Sequence, residues 1–161
     1  MKPRPLAEPD TSGLALDDYL PYRLSVSSNA VSRLIARAYE DRFGLTIPQW
    51  RLAAVLAQDG ALSPGALVAR TGMDQGMVSR AAQGLLKRHL ITRDDHQVDG
   101  RSHRLALTEE GHRVYAEIAP LALAYEAALI SGLAPHEVVL LKRLLARLQA
   151  AAGALGGEGA K

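Results

Sequence analysis

Basic and small polar side chains of the kinds that contact a nucleic acid are concentrated between residues 62 and 107 of this 161-residue chain. Seven Lys or Arg residues in that segment stand against four Asp, whereas the whole chain has a formal charge of only +2. Arg80 could donate two hydrogen bonds to O6 and N7 of a guanine, or bind a phosphate instead. Arg101, at the tip of an Asp- and Gly-rich loop, suits a narrow minor groove, and Asp99 could orient it through a charge-assisted hydrogen bond. The segment predicts DNA binding, with an ordinary solvated basic face as the alternative.

The elements that must position these residues follow one another as two short helices, a strand, a polar loop and a second strand. Ser63 caps the first helix and Asp74 the second, and the turn between them contains a glycine, as in a helix-turn-helix. Residues 90–93 and 102–107 are typical of paired strands, with the loop between them forming a wing. This order predicts a winged helix-turn-helix, whose second helix enters the major groove while the wing contacts the minor groove.

The candidate DNA contacts are the outward residues at the start of the second, recognition helix and the polar residues of the cap and the wing. Met77 suits packing against a thymine methyl group better than hydrogen bonding. The full set is Ser63, Gln75, Gly76, Met77, Ser79, Arg80, Asp99, Arg101 and Arg104.

The remainder of the chain shows mainly helical periodicity, with apolar residues recurring every three or four positions. A helix is predicted from about residue 17 to 42, ending at Gly44, and a second from Thr46 to Asp59. A long helix at 108–131 and a last one from Pro135 follow the wing. The predicted organisation is a disordered arm at 1–13, a helical dimerisation region at 17–44 and 108–152, a DNA-binding lobe at 45–107 and a flexible tail at 153–161.

Composition excludes several other classes of protein. Ala and Leu dominate and aromatic residues are only 4% of the chain, which favours helices packed on helices. No apolar run approaches the roughly 18 residues of a membrane span, and no signal-peptide core is present, so we expect a cytoplasmic protein without membrane contact. The absence of cysteine excludes disulfides and thiol sensing. No catalytic motif is present, and the five histidines lack metal-ligand spacing, so we expect neither an enzyme nor a metal or cofactor.

Six segments together resemble the MarR family of bacterial transcription regulators. They cover about residues 17–150 in the family's order and spacing, and two of them depart from it in detail. Family recognition helices commonly read Asp-Lys-Ser-Thr-Val where this chain has Asp74-Gln-Gly-Met-Val78, and the wing lacks the arginines that often follow its Asp-x-Arg. The matching segments are Leu45–Arg51, Leu62–Arg70, Met73–Arg80, Asp99–Arg101, Leu107–Gly111 and Leu133–Glu137.

The resemblance implies a mainly α fold of six helices with a small β-wing between the fourth and the fifth, and a homodimer built from the first and last two helices. It also implies repression that responds to a small molecule. A dimer would cover the apolar stripe of Leu141, Leu144 and Leu148 in the last helix. A two-fold dimer in turn predicts a pseudo-palindromic operator.

By the same resemblance, Trp50 borders a cleft between the dimerisation helices and the DNA-binding lobe. A cation, hydroxyl groups and an imidazole beside apolar walls suit a small aromatic carboxylate as effector. The alternatives are that Trp50 is a core residue, Arg23 an interhelical ion-pair partner and His112 a surface residue. The candidate ligand-binding residues are Arg23, Ser27, Trp50, His112 and Tyr115.

The sequence therefore predicts a sequence-specific, double-stranded DNA-binding transcription regulator, a repressor that a small ligand releases. Two alternatives stay open at this point. One is a winged helix that serves as a protein-interaction module without DNA binding, and the other is an architectural DNA binder without ligand control.

Overall fold

The computed structural model describes residues 13–94 and 103–158. Within these ranges the chain forms seven helices and one two-stranded sheet, which confirms the mainly α winged-helix prediction. In chain order the elements are α1 (Leu20–Ala36), α2 (Glu40–Phe43), α3 (Ile47–Asp59), α4 (Pro64–Thr71), α5 (Gln75–Lys87), β1 (Ile91–Asp94), β2 (Arg104–Leu107), α6 (Glu109–Ile130) and α7 (Pro135–Glu158). The chain divides into a central unit, Ser25–Glu126, and a terminal unit, Met1–Leu24 with Ala127–Lys161.

A single apolar core lies inside the central unit and joins its helices to the sheet. Leu52 of α3, Leu67 of α4, Leu85 of α5 and Ile118 of α6 are each 0% exposed. Burial of a side chain of this size contributes roughly 1.5–3 kcal/mol, so these four residues fix the helices against one another. The central unit is larger than the lobe predicted at 45–107, because residues before and after it also supply core side chains.

The helix predicted over residues 17–42 is wrong in one respect, since the chain breaks it into α1 and α2. Between them the amides of Arg37, Ala38 and Tyr39 donate to carbonyls three residues earlier, at 2.9–3.3 Å. Ala36, Ala38 and Tyr39 are all buried. Residues 36 and 38 of a regular α-helix lie about 200° apart around its axis, so the tighter turn is what lets all three side chains reach the core.

Side-chain caps fix where the helices of the central unit begin, as the sequence predicted. Thr46 and Gln49 form a reciprocal capping box on α3, and Ser63 Oγ accepts from the amide of Ala66 at 3.2 Å on α4. Asp74 Oδ1 accepts from the amide of Met77 at 2.7 Å on α5. Such caps are each worth about 1 kcal/mol, and they set the register of the helix-turn-helix.

Strands β1 and β2 pair antiparallel, with Ile91 opposite Leu107 and Asp94 opposite Arg104. Leu62, just before α4, adds a bridge to Leu105, so the sheet is tied directly to the helix-turn-helix. The observed strands begin slightly later than the sequence suggested. The tip of the wing, with the predicted contacts Asp99 and Arg101, lies outside the described residues, as does nearly all of the predicted N-terminal arm.

The terminal unit contains the first turn of α1, the last turn of α6 and all of α7. Ala134 is a poor helix cap by type, and Glu137 compensates because its Oε2 accepts from the Ala134 amide at 2.7 Å. Helix α7 continues to Glu158, into the segment that the sequence predicts to be a flexible tail from residue 153. Among the described residues, α6 and α7 pass the length and hydropathy test for a membrane span only when joined across their break, and no helix passes alone.

Candidate nucleic-acid interface

Helix α5, which the sequence predicts to be the recognition helix, has one buried and one exposed side. Val78, Ala82 and Leu85 are buried. Met77 is half-buried, between the two sides. Four of the predicted DNA contacts are exposed along the opposite side, namely Gln75, Gly76, Ser79 and Arg80. The structure therefore presents a polar strip at the N-terminal end of the helix that would lead into a groove.

The C-terminal end of α5 is closed by a hydrogen-bond pattern known as the Schellman motif. The amide of Leu90 donates to Leu85 O and that of His89 to Leu86 O, both at 3.0 Å. His89 occupies the left-handed region at φ 55°, where glycine is the usual residue. This tight reversal carries the chain directly from α5 into β1, so the start of β1 is held close to the end of α5.

A second connection to the wing comes from the start of α6, within the segment Leu107-Thr-Glu-Glu-Gly111. Thr108 Oγ1 donates to His89 O at 2.8 Å and accepts from the Gly111 amide at 3.0 Å, while the Thr108 amide donates to Leu90 O at 3.1 Å. Gly111 is buried against Leu90 O, and a β-carbon there would lie well inside 3.0 Å of that oxygen. These contacts hold the start of α6 against His89 and Leu90, the residues that lead into β1.

The recognition helix is fixed to α3 in a similar way, through a contact that the sequence interpretation missed. The side-chain amide of Gln49, which completes the capping box of α3, packs on Gly84 of α5. A β-carbon on residue 84 would overlap Nε2 of Gln49. Gly84 lies three residues before the end of α5, and a glycine inside an amphipathic helix can signal a close approach of this kind.

Among the basic residues of segment 62–107 that the structure describes, Arg70 and Arg88 have structural partners. Arg70 Nε forms an ion pair with Asp59 Oδ2 at 2.7 Å. Arg88 donates from both terminal nitrogens to the carbonyls of Phe43 and Gly44, at the end of α2. Helix C-terminal carbonyls carry partial negative charge, so Arg88 links the end of the recognition helix to α2.

The other predicted DNA contacts in the described part of the chain lie close to α5 or on the sheet. Ser63 is half-buried and its oxygen caps α4, while Arg104 is exposed on β2 opposite Asp94. A cavity of about 140 Å³ lies between α4, α5 and the sheet. Its walls include Gln75 and Ser79, together with Arg93 and His103, which were not among the predicted contacts.

The structure brings together two of the five candidate ligand-binding residues, Trp50 and Tyr115. Their rings stack with centroids 5.6 Å apart and planes 18° apart, and the ring of Tyr39 stacks on Trp50 at 5.4 Å and 25°. Trp50 is thus part of a three-ring aromatic cluster, defined by Tyr39, Trp50 and Tyr115. Burial, with a smaller contribution from Glu40, raises the pKa of Tyr39 to about 12.

The other three candidate residues are exposed. Ser27 lies on α1 and His112 on the first turn of α6, both in the central unit. Arg23 belongs to the terminal unit, where its Nη1 donates to Asp17 O at 3.2 Å. A separate cleft of about 370 Å³ in the central unit was not predicted, and its lining combines Arg33 of α1 and Arg51 of α3 with Met77 of α5.

Comparison with known proteins agrees with this geometry. A sequence profile of the MarR family matches residues 43–102, from the end of α2 to the wing. The HTH-type transcriptional regulator MgrA of Staphylococcus aureus is 25% identical over 133 residues, which are 83% of this chain and 89% of MgrA. Together these matches support a MarR-family winged-helix regulator. Regulators of that family have a winged helix-turn-helix, and dimers are typical of them.

Solved MarR-like structures extend the likeness beyond the winged helix. NadR in complex with 4-hydroxyphenylacetate has a TM-score of 0.72 at 26% identity, over 88% of this chain and 97% of NadR. BpsR of Bordetella bronchiseptica, whose DNA binding is regulated by 6-hydroxynicotinic acid, has a TM-score of 0.73 at 25% identity, over 81% of this chain and 98% of BpsR. The similarity therefore covers nearly the whole of both relatives.

Proposed function

We propose that this chain is a MarR-family regulator and a cytoplasmic homodimeric repressor, which binds a pseudo-palindromic operator and is released from it by a small aromatic carboxylate. One observation supports the proposed DNA binding, namely the exposed polar strip at the N-terminal end of α5. Gln75, Ser79 and Arg80 lie on this strip, and both ends of the helix are held by hydrogen bonds. A protein-interaction surface would instead expose apolar or acidic side chains there.

The operator follows from the geometry of a two-fold dimer. Recognition helices one helical turn apart require half-sites about 10 base pairs apart. Genomic fragments bound by the protein are to be isolated and footprinted, with a symmetric footprint as the expected result. A footprint without two-fold symmetry would contradict the dimeric arrangement, and binding with no sequence preference would leave an architectural protein.

Arg80→Ala tests the assignment of α5 as the recognition helix. If Arg80 contacts a guanine, its loss costs about 1–3 kcal/mol and relaxes the preference at one position of each half-site. Arg42→Ala is the matched control, because Arg42 is also exposed but is paired with Glu117 on another face of the chain. Equal weakening on specific and random DNA would make Arg80 a phosphate contact.

The homodimer is supported by the apolar surface of the terminal unit, in which none of the described residues is buried. Leu144 is 41% exposed and Leu148 39% exposed on α7, and a second copy of the chain is the natural cover for a leucine stripe of this length. We expect light scattering to give the mass of a dimer at micromolar concentration. Leu144→Glu with Leu148→Glu should yield unfolded or insoluble protein, whereas Arg147→Glu on the same helix should not.

The ligand class is supported by the aromatic cluster of Tyr39, Trp50 and Tyr115 and by the aromatic acids named for NadR and BpsR. We keep Arg23, which the resemblance implies, as the candidate for the carboxylate, and Ser27 and His112 as candidate polar contacts. A ligand lowers the affinity for DNA usefully if it binds the DNA-free form more tightly than the DNA-bound form by only about 1–3 kcal/mol. The test uses 4-hydroxyphenylacetate and 6-hydroxynicotinic acid as probes, with Trp50 fluorescence and operator release as readouts.

We expect one of these acids to quench Trp50 and to release the operator, and Arg23→Ala to reduce both effects. Arg113→Ala is the control, since Arg113 is exposed and paired with Glu110. Quenching that persists in Arg23→Ala would place the carboxylate elsewhere, with the cleft lined by Arg33 and Arg51 as the next site to test. If no aromatic acid gives either effect, the ligand part fails and the DNA-binding part stands.

A further inference from the structure

Gly76, the second residue of α5, has no role in the backbone that would require glycine. Its φ lies outside the left-handed region, unlike those of Gly44, Gly60 and Gly72. Glycine within a helix is less favourable than alanine by about 1 kcal/mol. The absence of a side chain at this exposed position therefore needs another explanation.

The space beside Gly76 is occupied by the side chain of Arg80. A β-carbon at residue 76 would lie 3.2 Å from Nη1 and 3.9 Å from Cζ of Arg80, and 3.3 Å from Oδ1 of Asp74. Helical side chains point back toward the N-terminus and cover the residue four positions earlier. The guanidinium of Arg80 accordingly lies over Gly76, beside the carboxylate that caps the helix.

This arrangement decides where the charge of Arg80 is presented. Recognition helices contact bases with their N-terminal residues, and the guanidinium lies at that end, over a position that leaves it room. A β-carbon at residue 76 would be closer to Nη1 than an ordinary van der Waals contact, so the guanidinium would have to shift by a few tenths of an ångström. An arginine shifted in this way still reaches phosphates, but its two donors are no longer aligned as they are over Gly76.

We propose that Gly76 is a specificity-determining residue, because its missing side chain directs Arg80 onto a guanine in each half-site. The proposal rests on the DNA-binding function proposed above. It assigns Gly76 a positioning role that acts through Arg80. The effects of substitutions at the two positions on the guanine preference are therefore expected to be non-additive.

The experiment selects bound sequences from a randomised duplex DNA library with the full chain and its variants. Wild type should enrich a guanine at one position of each half-site, with a preference over adenine of about 5- to 150-fold. Arg80→Ala should lose that preference, and Gly76→Ala and Gly76→Ser should lose most of it too. The double variant Gly76→Ala with Arg80→Ala should be no worse than Arg80→Ala alone.

Gly65→Ala is the matched control, because Gly65 is the second residue of α4 and has nothing within 4 Å of a β-carbon. It should keep the guanine preference. The Tm of Gly76→Ala should not be lower than that of wild type. This result would show that any loss of the guanine preference is not caused by loss of the fold. If Gly76→Ala keeps the preference that Arg80→Ala loses, or if the two effects are independent, the inference is overturned and the DNA-binding function survives. If wild type enriches no sequence, both are overturned.

Discussion

Among the glycines that the structure describes, Gly111 is the one at which an added methyl group should destabilise the central unit most. The new β-carbon would lie well under 3.0 Å from Leu90 O, 3.0 Å from Leu107 Cδ2 and 3.1 Å from the carbonyl carbon of Leu90. Two of these three atoms are backbone, and neither can move by changing a rotamer. Helix α6 and the start of β1 must therefore separate.

The magnitude follows from what that separation disturbs. Overpacking of a buried site costs typically about 1–3 kcal/mol, and here the hydrogen bond from the Thr108 amide to Leu90 O is stretched as well, at about 1 kcal/mol. We expect a loss of about 3 kcal/mol in the free energy of unfolding, or roughly 6–12 °C in Tm for a chain of this size.

The assay is urea unfolding of both proteins at one fixed protein concentration, since oligomerisation makes apparent stability depend on concentration. Because Leu90 leads directly into β1, the wing should shift, and operator affinity should fall along with stability. Gly132→Ala is the control, because Gly132 has no left-handed φ and nothing within 4 Å of a β-carbon. A change of less than about 0.5 kcal/mol in Gly111→Ala, the range of ordinary surface substitutions, would refute the reasoning.

Three further outcomes are expected. Gly84→Ala should displace the Gln49 side chain, and the lost cap on α3, worth about 1 kcal/mol, should cancel the roughly 1 kcal/mol by which alanine favours a helix over glycine. Urea unfolding should therefore show no net gain in stability, whereas a gain of about 1 kcal/mol would mean that Gln49 keeps its cap. His89→Gly should raise stability by about 0.5–1 kcal/mol, since it relieves a left-handed non-glycine residue, and a lower Tm would contradict this. The raised pKa of Tyr39 means that the unfolded chain loses its phenol proton first, so stability should be intact below about pH 10 and fall between pH 10 and 12. Tyr39→Phe should remove this Tyr39 contribution to the fall, and an unchanged slope in that variant would show that other groups cause it.

The sequence by itself determined the order of the elements and where the central helices begin. Caps and turns are local, because Thr46, Ser63 and Asp74 each bond an amide three residues away. The apolar stripe of α5 is likewise a property of spacing alone, and its buried and exposed sides follow from it. Local rules were therefore sufficient for the winged helix-turn-helix and for the polar strip that would meet DNA.

Only the tertiary structure decided which residues meet across elements. The break after α1 depends on a core in which Ala36, Ala38 and Tyr39 are all buried. The apolar periodicity of one helix does not predict that these three residues are buried together. The same holds for Gly84 beneath Gln49 and for Arg88 at the end of α2, whose partners are more than 30 residues away in the chain. The stacking of Trp50 of α3 on Tyr115 of α6 is equally long-range. Such contacts depend on how the helices pack, and side-chain type and spacing along one segment do not specify that packing.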